Sequence, residues 1–113
     1  MNYIKYLSDR SYKNRANDCW TFVQTVFKDE HNVVLPDYPI MTDKQEIATA
    51  LISNIPYKLV NKAEKGCIVY YHNGKNHHAA YALNDKKMIH KTLGGVQVTN
   101  IPKNSTIFKV LND

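Results

Sequence analysis

Cys19 stands in Asn17-Asp18-Cys19-Trp20, directly before an apolar pattern of helical period. Two histidines follow far downstream, in His78-Ala79-Ala80-Tyr81-Ala82-Leu83 and in Met88-Ile89-His90. A cysteine sulfur is a good nucleophile, but only as the thiolate. A thiol hydrolase therefore needs a base to form the thiolate and a third group to hold that base in the right tautomer. One cysteine and two histidines supply those three parts. Cys19 would fall in the first turn of its helix, where unpaired N–H groups and the helix dipole favour an anion. Taken alone, a cysteine on an apolar stripe reads as a core residue. The histidines turn the balance toward chemistry.

Strand geometry decides whether the histidines can meet. Side chains alternate along a strand, so His78, Ala80 and Ala82 share one face, and Met88 and His90 share one face of the next strand. A three-residue loop at Asn84-Asp85-Lys86 sets Leu83 opposite Lys87, Ala80 opposite His90 and His78 opposite Thr92. The histidines are then diagonal neighbours on one face, about 7–8 Å apart along the backbone. His78 would take the proton from Cys19 and return it to the leaving amine. His90 would accept a hydrogen bond from the other nitrogen of His78 and fix its tautomer. The backbone N–H of Cys19 is a natural oxyanion donor, and the phenol of Tyr12 could supply a second.

The elements that must position these residues are legible in outline. Residues 2–8 can form a short helix. Asn17 or Asp18 offers an N-cap for a helix ending near Glu30, in which Cys19, Phe22, Val23, Val26 and Phe27 make one apolar stripe. Residues 31–41, with Pro36 and Pro39, read as a loop, and Thr42 or Asp43 caps a further helix to about Ser53. Strands follow at Tyr57–Val60, Cys67–Tyr71, His78–Leu83, Lys87–Thr92, Val96–Asn100 and Ile107–Leu111, separated by turn signals. Helices first and a strand meander after them predict an α+β domain, with N-terminal helices packed on a five- to six-stranded antiparallel sheet.

Composition bounds the partners. A chain of 113 residues with 43% hydrophobic residues has the size of one domain spanning 1–113 with a single core. The net charge of +5 favours anionic partners, but the lysines are scattered and no nucleic-acid motif accompanies them, so nucleic acid is not expected. No segment approaches the roughly 18 apolar residues of a membrane span, and membrane insertion is not expected either. The first ten residues lack the apolar stretch of a secretory signal, so the chain is expected to be made in the cytoplasm without one. Cys67 opens an apolar run and reads as a buried strand residue. His31, near a helix end, reads as solvated. A zinc site from Cys67, His72, His77 and His78 matches no finger spacing, and no metal or cofactor is implied.

Asp18-Cys19-Trp20 at a helix start, Gly66-Cys67-Ile68-Val69 opening a strand, His78-Ala79-Ala80-Tyr81 and Met88-Ile89-His90 together resemble the NlpC/P60 cysteine peptidases, in order and in spacing. The resemblance runs from about Tyr12 to Ile101. It implies a papain-like α+β core and cleavage of amide bonds in peptidoglycan stem peptides. Cys19, His78 and His90 take the catalytic places, with Tyr12 and Trp20 on the oxyanion and substrate-binding side. Asp18-Cys19-Trp20 and Leu35-Pro36-Asp37-Tyr38 look like the bacteriophage branch, whose members work in tails beside other tail proteins, which implies a place in the virion. Family members usually carry Asp where this chain has Cys67, and Gly where it has Ala80 and Thr21. Two alternatives stay open: an acyltransferase using the same triad, and a non-catalytic structural or binding module of a phage tail.

Overall fold

The computed structural model describes residues 4–7, 19–35, 57–73, 76–92 and 94–111, with only the backbone of residues 72, 73, 76 and 77. The expected helix over 42–53, the N-cap at Asn17 or Asp18, and Tyr12 lie outside the described residues. Two helices are described, α1 (Ile4–Leu7) and α2 (Cys19–His31). Six strands follow: β1 (Tyr57–Val60), β2 (Ile68–Asn73), β3 (Asn76–Ala82), β4 (Lys87–Thr92), β5 (Gly95–Asn100) and β6 (Thr106–Val110). They form one antiparallel sheet in the order β1-β6-β2-β3-β4-β5. The α+β class and the six antiparallel strands agree with the sequence reading.

Helix α2 forms because its apolar residues recur at helical spacing. All five stripe residues are buried, and so is Trp20, which is fully enclosed. Burying a side chain of this size contributes roughly 1.5–3 kcal/mol, so the stripe fixes which face of α2 meets the sheet. That face lies on β3 and β4. The helix stops where Asn32 adopts a left-handed φ of 54°. There the Asn32 N–H donates to the Lys28 carbonyl, and the Val33 N–H to the Phe27 carbonyl, both at 3.2 Å. These bonds satisfy carbonyls that a helix end leaves open.

Strand alternation sorts the core into two clusters. Ile68, Tyr70, Ala79, Tyr81, Ile89 and Phe108 join the buried face of α2, Cys19 included. Cys67, Val69, Ala80, Ala82, Met88 and Ile107 make the second cluster, with Tyr71 packed against it. The β3–β4 hairpin pairs Tyr81 with Ile89 and Ala82 with Met88, the register a three-residue loop produces. Asn84 holds that loop: its Oδ1 accepts the Lys86 and Lys87 N–H groups, each at 2.8 Å, a side-chain-closed turn.

The expectation for His31 is corrected. Its ring is half-buried rather than fully solvated: it lies 5.1 Å from Phe27, and its Nε2 is 2.7 Å from the Tyr81 hydroxyl. The helix runs to His31 and the chain turns only at Asn32, so the ring is carried onto the sheet. Burial lowers the His31 pKa and pushes the Tyr81 phenol up to about 12. A neutral imidazole accepting the Tyr81 O–H fits both shifts. Gly66 lies against this pair: its φ is +93°, and an added Cβ would come 3.4 Å from His31 Cε1. Left-handed backbone costs a residue with a Cβ roughly 1–2 kcal/mol. Gly66→Ala should therefore lower unfolding stability by about 1–2 kcal/mol, read as a lower urea midpoint at an unchanged slope.

Candidate active site

Cys19 is the first residue of α2 and Trp20 the second. Trp20 is 0% exposed within the cluster beneath the helix. Its indole thus packs at the helix start, beside Cys19. Cys19 is 4% exposed and Cys67 1%, so exposure does not distinguish the two thiols. Their surroundings do. Cys67 sits in the second core cluster, where burial pushes its thiol pKa up. Cys19 sits at a helix N-terminus and is coupled by charge to Tyr71.

His78 and His90 fall on one sheet face, as the register requires. His78 lies one alternation from Ala80, and Ala80 is buried in the second cluster. At His90 both ring nitrogens have partners other than His78. His90 uses its nitrogens elsewhere: Nε2 is 3.1 Å from Thr99 Oγ1, and Nδ1 is 3.5 Å from the Tyr71 hydroxyl. The physical reason lies in the neighbouring ladder. Tyr71 is the register partner of His78 across β2 and β3. Its ring stacks on His78 at 5.4 Å and 22°, and meets His90 edge-on at 6.4 Å and 71°. A phenol thus links the two histidines. The Nδ1 atom of His78 is itself buried.

The electrostatics follow from this packing. His90 is 6% exposed, and its pKa is lowered to about 4, first by burial and then by the positive charge of His78. At neutral pH it is therefore uncharged, with one nitrogen donating and the other accepting. It can orient a neighbour but cannot act as a counter-ion. The Tyr71 phenol is pushed up, first by burial and then by negative charge on Cys19. It stays protonated and remains a hydrogen-bond donor. Tyr71 therefore belongs to the histidine face while it senses the thiol of the α2 cluster. Sequence reasoning missed Tyr71 and Thr99. Tyr71 carried a usable signal, since the turn-forming stretch Asn73-Gly74-Lys75-Asn76 is centred midway between Tyr71 and His78 in the sequence. The burial of Lys91, 1% exposed beside His90, had no such signal.

Among the described residues, no helix is long and apolar enough to cross a membrane. Residues 9–111 match the sequence model of the NlpC/P60 family. No curated protein matches the chain.

Two outcomes are expected. Near neutral pH, iodoacetamide should label Cys19 faster than Cys67 in the folded protein, read by peptide mass; equal rates, or Cys67 first, would remove Cys19 as nucleophile. The second concerns stability. The folded-state pKa of His90 lies below its unfolded value of about 6.5, so the unfolded state takes up the proton first as pH falls. The stability tied to neutral His90 is complete above about pH 6.5 and is lost as pH falls toward about 4, up to about 3 kcal/mol in all. His90→Asn should flatten this part of the stability–pH curve, measured by urea unfolding at fixed pH.

Proposed function

The chain belongs to the NlpC/P60 family, and from that premise we propose that it is a thiol amidohydrolase cleaving amide bonds in peptidoglycan stem peptides. The family is generally one of cysteine peptidases and hydrolases of the cell wall, which supports the class of reaction and substrate. The observation that carries the reading in this chain is the grouping around Tyr71: two histidines on one face, and a helix-start cysteine coupled to the tyrosine that links them. The proposed core is papain-like, a nucleophile-bearing helix docked on an antiparallel sheet.

In the proposed cycle His78 takes the thiol proton of Cys19. The thiolate adds to the carbonyl carbon of the scissile amide, and the carbonyl oxygen takes the negative charge, with the Cys19 N–H as a donor. The intermediate collapses as the C–N bond breaks, and the imidazolium of His78 gives its proton to the leaving amine. A thioester is left on Cys19. Water then adds to it with its proton passing to His78, the C–S bond breaks, and the acid and the thiol are released. Tyr12 is proposed as a second oxyanion donor. His90 supports His78 without charge, which a thiol nucleophile tolerates better than a hydroxyl would.

The net charge of +5 suits an anionic wall polymer. The finer placement, synthesis in the cytoplasm and action in a phage tail beside other tail proteins, is supported by the likeness of Asp18-Cys19-Trp20 and Leu35-Pro36-Asp37-Tyr38 to that branch. The burial of Cys19 favours one rival, a non-catalytic module in which the cysteine only packs. Digestion of purified peptidoglycan decides between them. The parent chain should release stem-peptide fragments with new amine termini, identified by mass, and Cys19→Ala and His78→Ala should release none. Cys19→Ala should cost only about 1 kcal/mol of stability, as for a small core truncation. A parent that releases nothing, with variants that lose several kcal/mol, would establish the packing role instead.

A further inference from the structure

We propose that Tyr71 is a positioning residue of this site: its ring sets the plane of the His78 imidazole, and its hydroxyl ties that ring to His90. The inference rests on the reading of His78 as the base for Cys19. Three observations carry it. Tyr71 and His78 face each other in the β2–β3 register, so the backbone itself holds the two rings together. They stack at 5.4 Å with 22° between their planes. The phenol oxygen lies 3.5 Å from His90 Nδ1, whose ring is anchored at its other nitrogen by Thr99 Oγ1 at 3.1 Å.

The reason such a group is needed is geometric. An imidazole base must present one nitrogen within about 2.6–3.2 Å of the proton it takes. Rotation about its last side-chain torsion is soft and swings that nitrogen away. A direct bond from His90 would stop the rotation, but both His90 nitrogens are engaged by Thr99 and Tyr71. The stacked phenol resists it, because turning about that torsion tips the imidazole out of the plane it shares with the neighbouring phenol ring. The hydroxyl then stops Tyr71 from sliding, by fixing it to a histidine that two strands hold. Thr99, through the paired register of β4 and β5, extends the chain of support to the sheet edge. Among the described residues, the rings of His78 and His90 face Tyr71, and the charge of Cys19 bears on its phenol.

The ring and the hydroxyl can be tested separately. Cys19 alkylation by iodoacetamide is followed against pH for the parent, His78→Ala, Tyr71→Leu and Tyr71→Phe, with circular dichroism to check folding and peptide mass to exclude Cys67. The parent should alkylate with a midpoint below the ordinary cysteine range, and His78→Ala should lose it. Tyr71→Leu, which removes the stack, should slow the reaction at neutral pH by about tenfold, a modest part of a general base's usual contribution, and move the midpoint upward. Tyr71→Phe should lose less in rate, but should shift the nitrogen resonances of the His90 ring. A Tyr71→Leu variant with the parent's rate and midpoint, beside an altered His78→Ala, overturns the inference and leaves the reading of His78 standing. A His78→Ala variant identical to the parent removes that reading and the inference with it. If Tyr71→Leu fails to fold, Tyr71→Phe decides, and unmoved His90 nitrogen signals overturn the proposal.

Discussion

Tyr71 meets His78 across the β2–β3 ladder, and the rest of the candidate site is arranged around that pairing. The ladder runs unbroken from Ile68↔Tyr81 to Asn73↔Asn76, so a one-residue slip would send His78 to the other face of the sheet. It would also place Tyr81, which is fully buried against Phe27 of α2, on the wrong side. Core packing and site geometry are thus fixed by one register. The same β3 strand gives Tyr81 to the α2 cluster and His78 to the opposite face, and neither can move without the other.

The second constraint is the position of α2. Its start carries Cys19, and its end carries His31 bonded to Tyr81. The helix is therefore tied to β3 near its last residue and packed on it through its stripe. Slippage along its axis would break the His31–Tyr81 bond and expose apolar surface. The first residue is held in place by contacts made twelve residues further on. Gly66 belongs to that tie, since only a residue without a Cβ sits easily at its φ of +93° beside His31.

Much of this was legible in the sequence. The α2 stripe followed from spacing, and β1 and β4 have the bounds that alternation and turn residues predicted. The β3–β4 register followed from counting the loop between Leu83 and Lys87. The contacts of His90 were not legible. Alternation shows which face a side chain takes but not which of several polar neighbours it chooses, and Thr99 and Tyr71 reach it from two different strands. His31 was misread because helix-end composition does not reveal where the chain turns. Trp20 stood off the predicted stripe, yet it is fully enclosed, because a helix start pressed on a sheet buries more than one face.

On the proposed reading, Cys19 carries the acyl group of the substrate. It is tested most directly by mixing the protein with a synthetic stem peptide, quenching in acid, and mapping the adduct by mass. A thioester on Cys19 should form in the parent and be absent from Cys19→Ala. Cleavage of the same peptide by Cys19→Ala, or turnover by the parent through an adduct at any other residue, would contradict it.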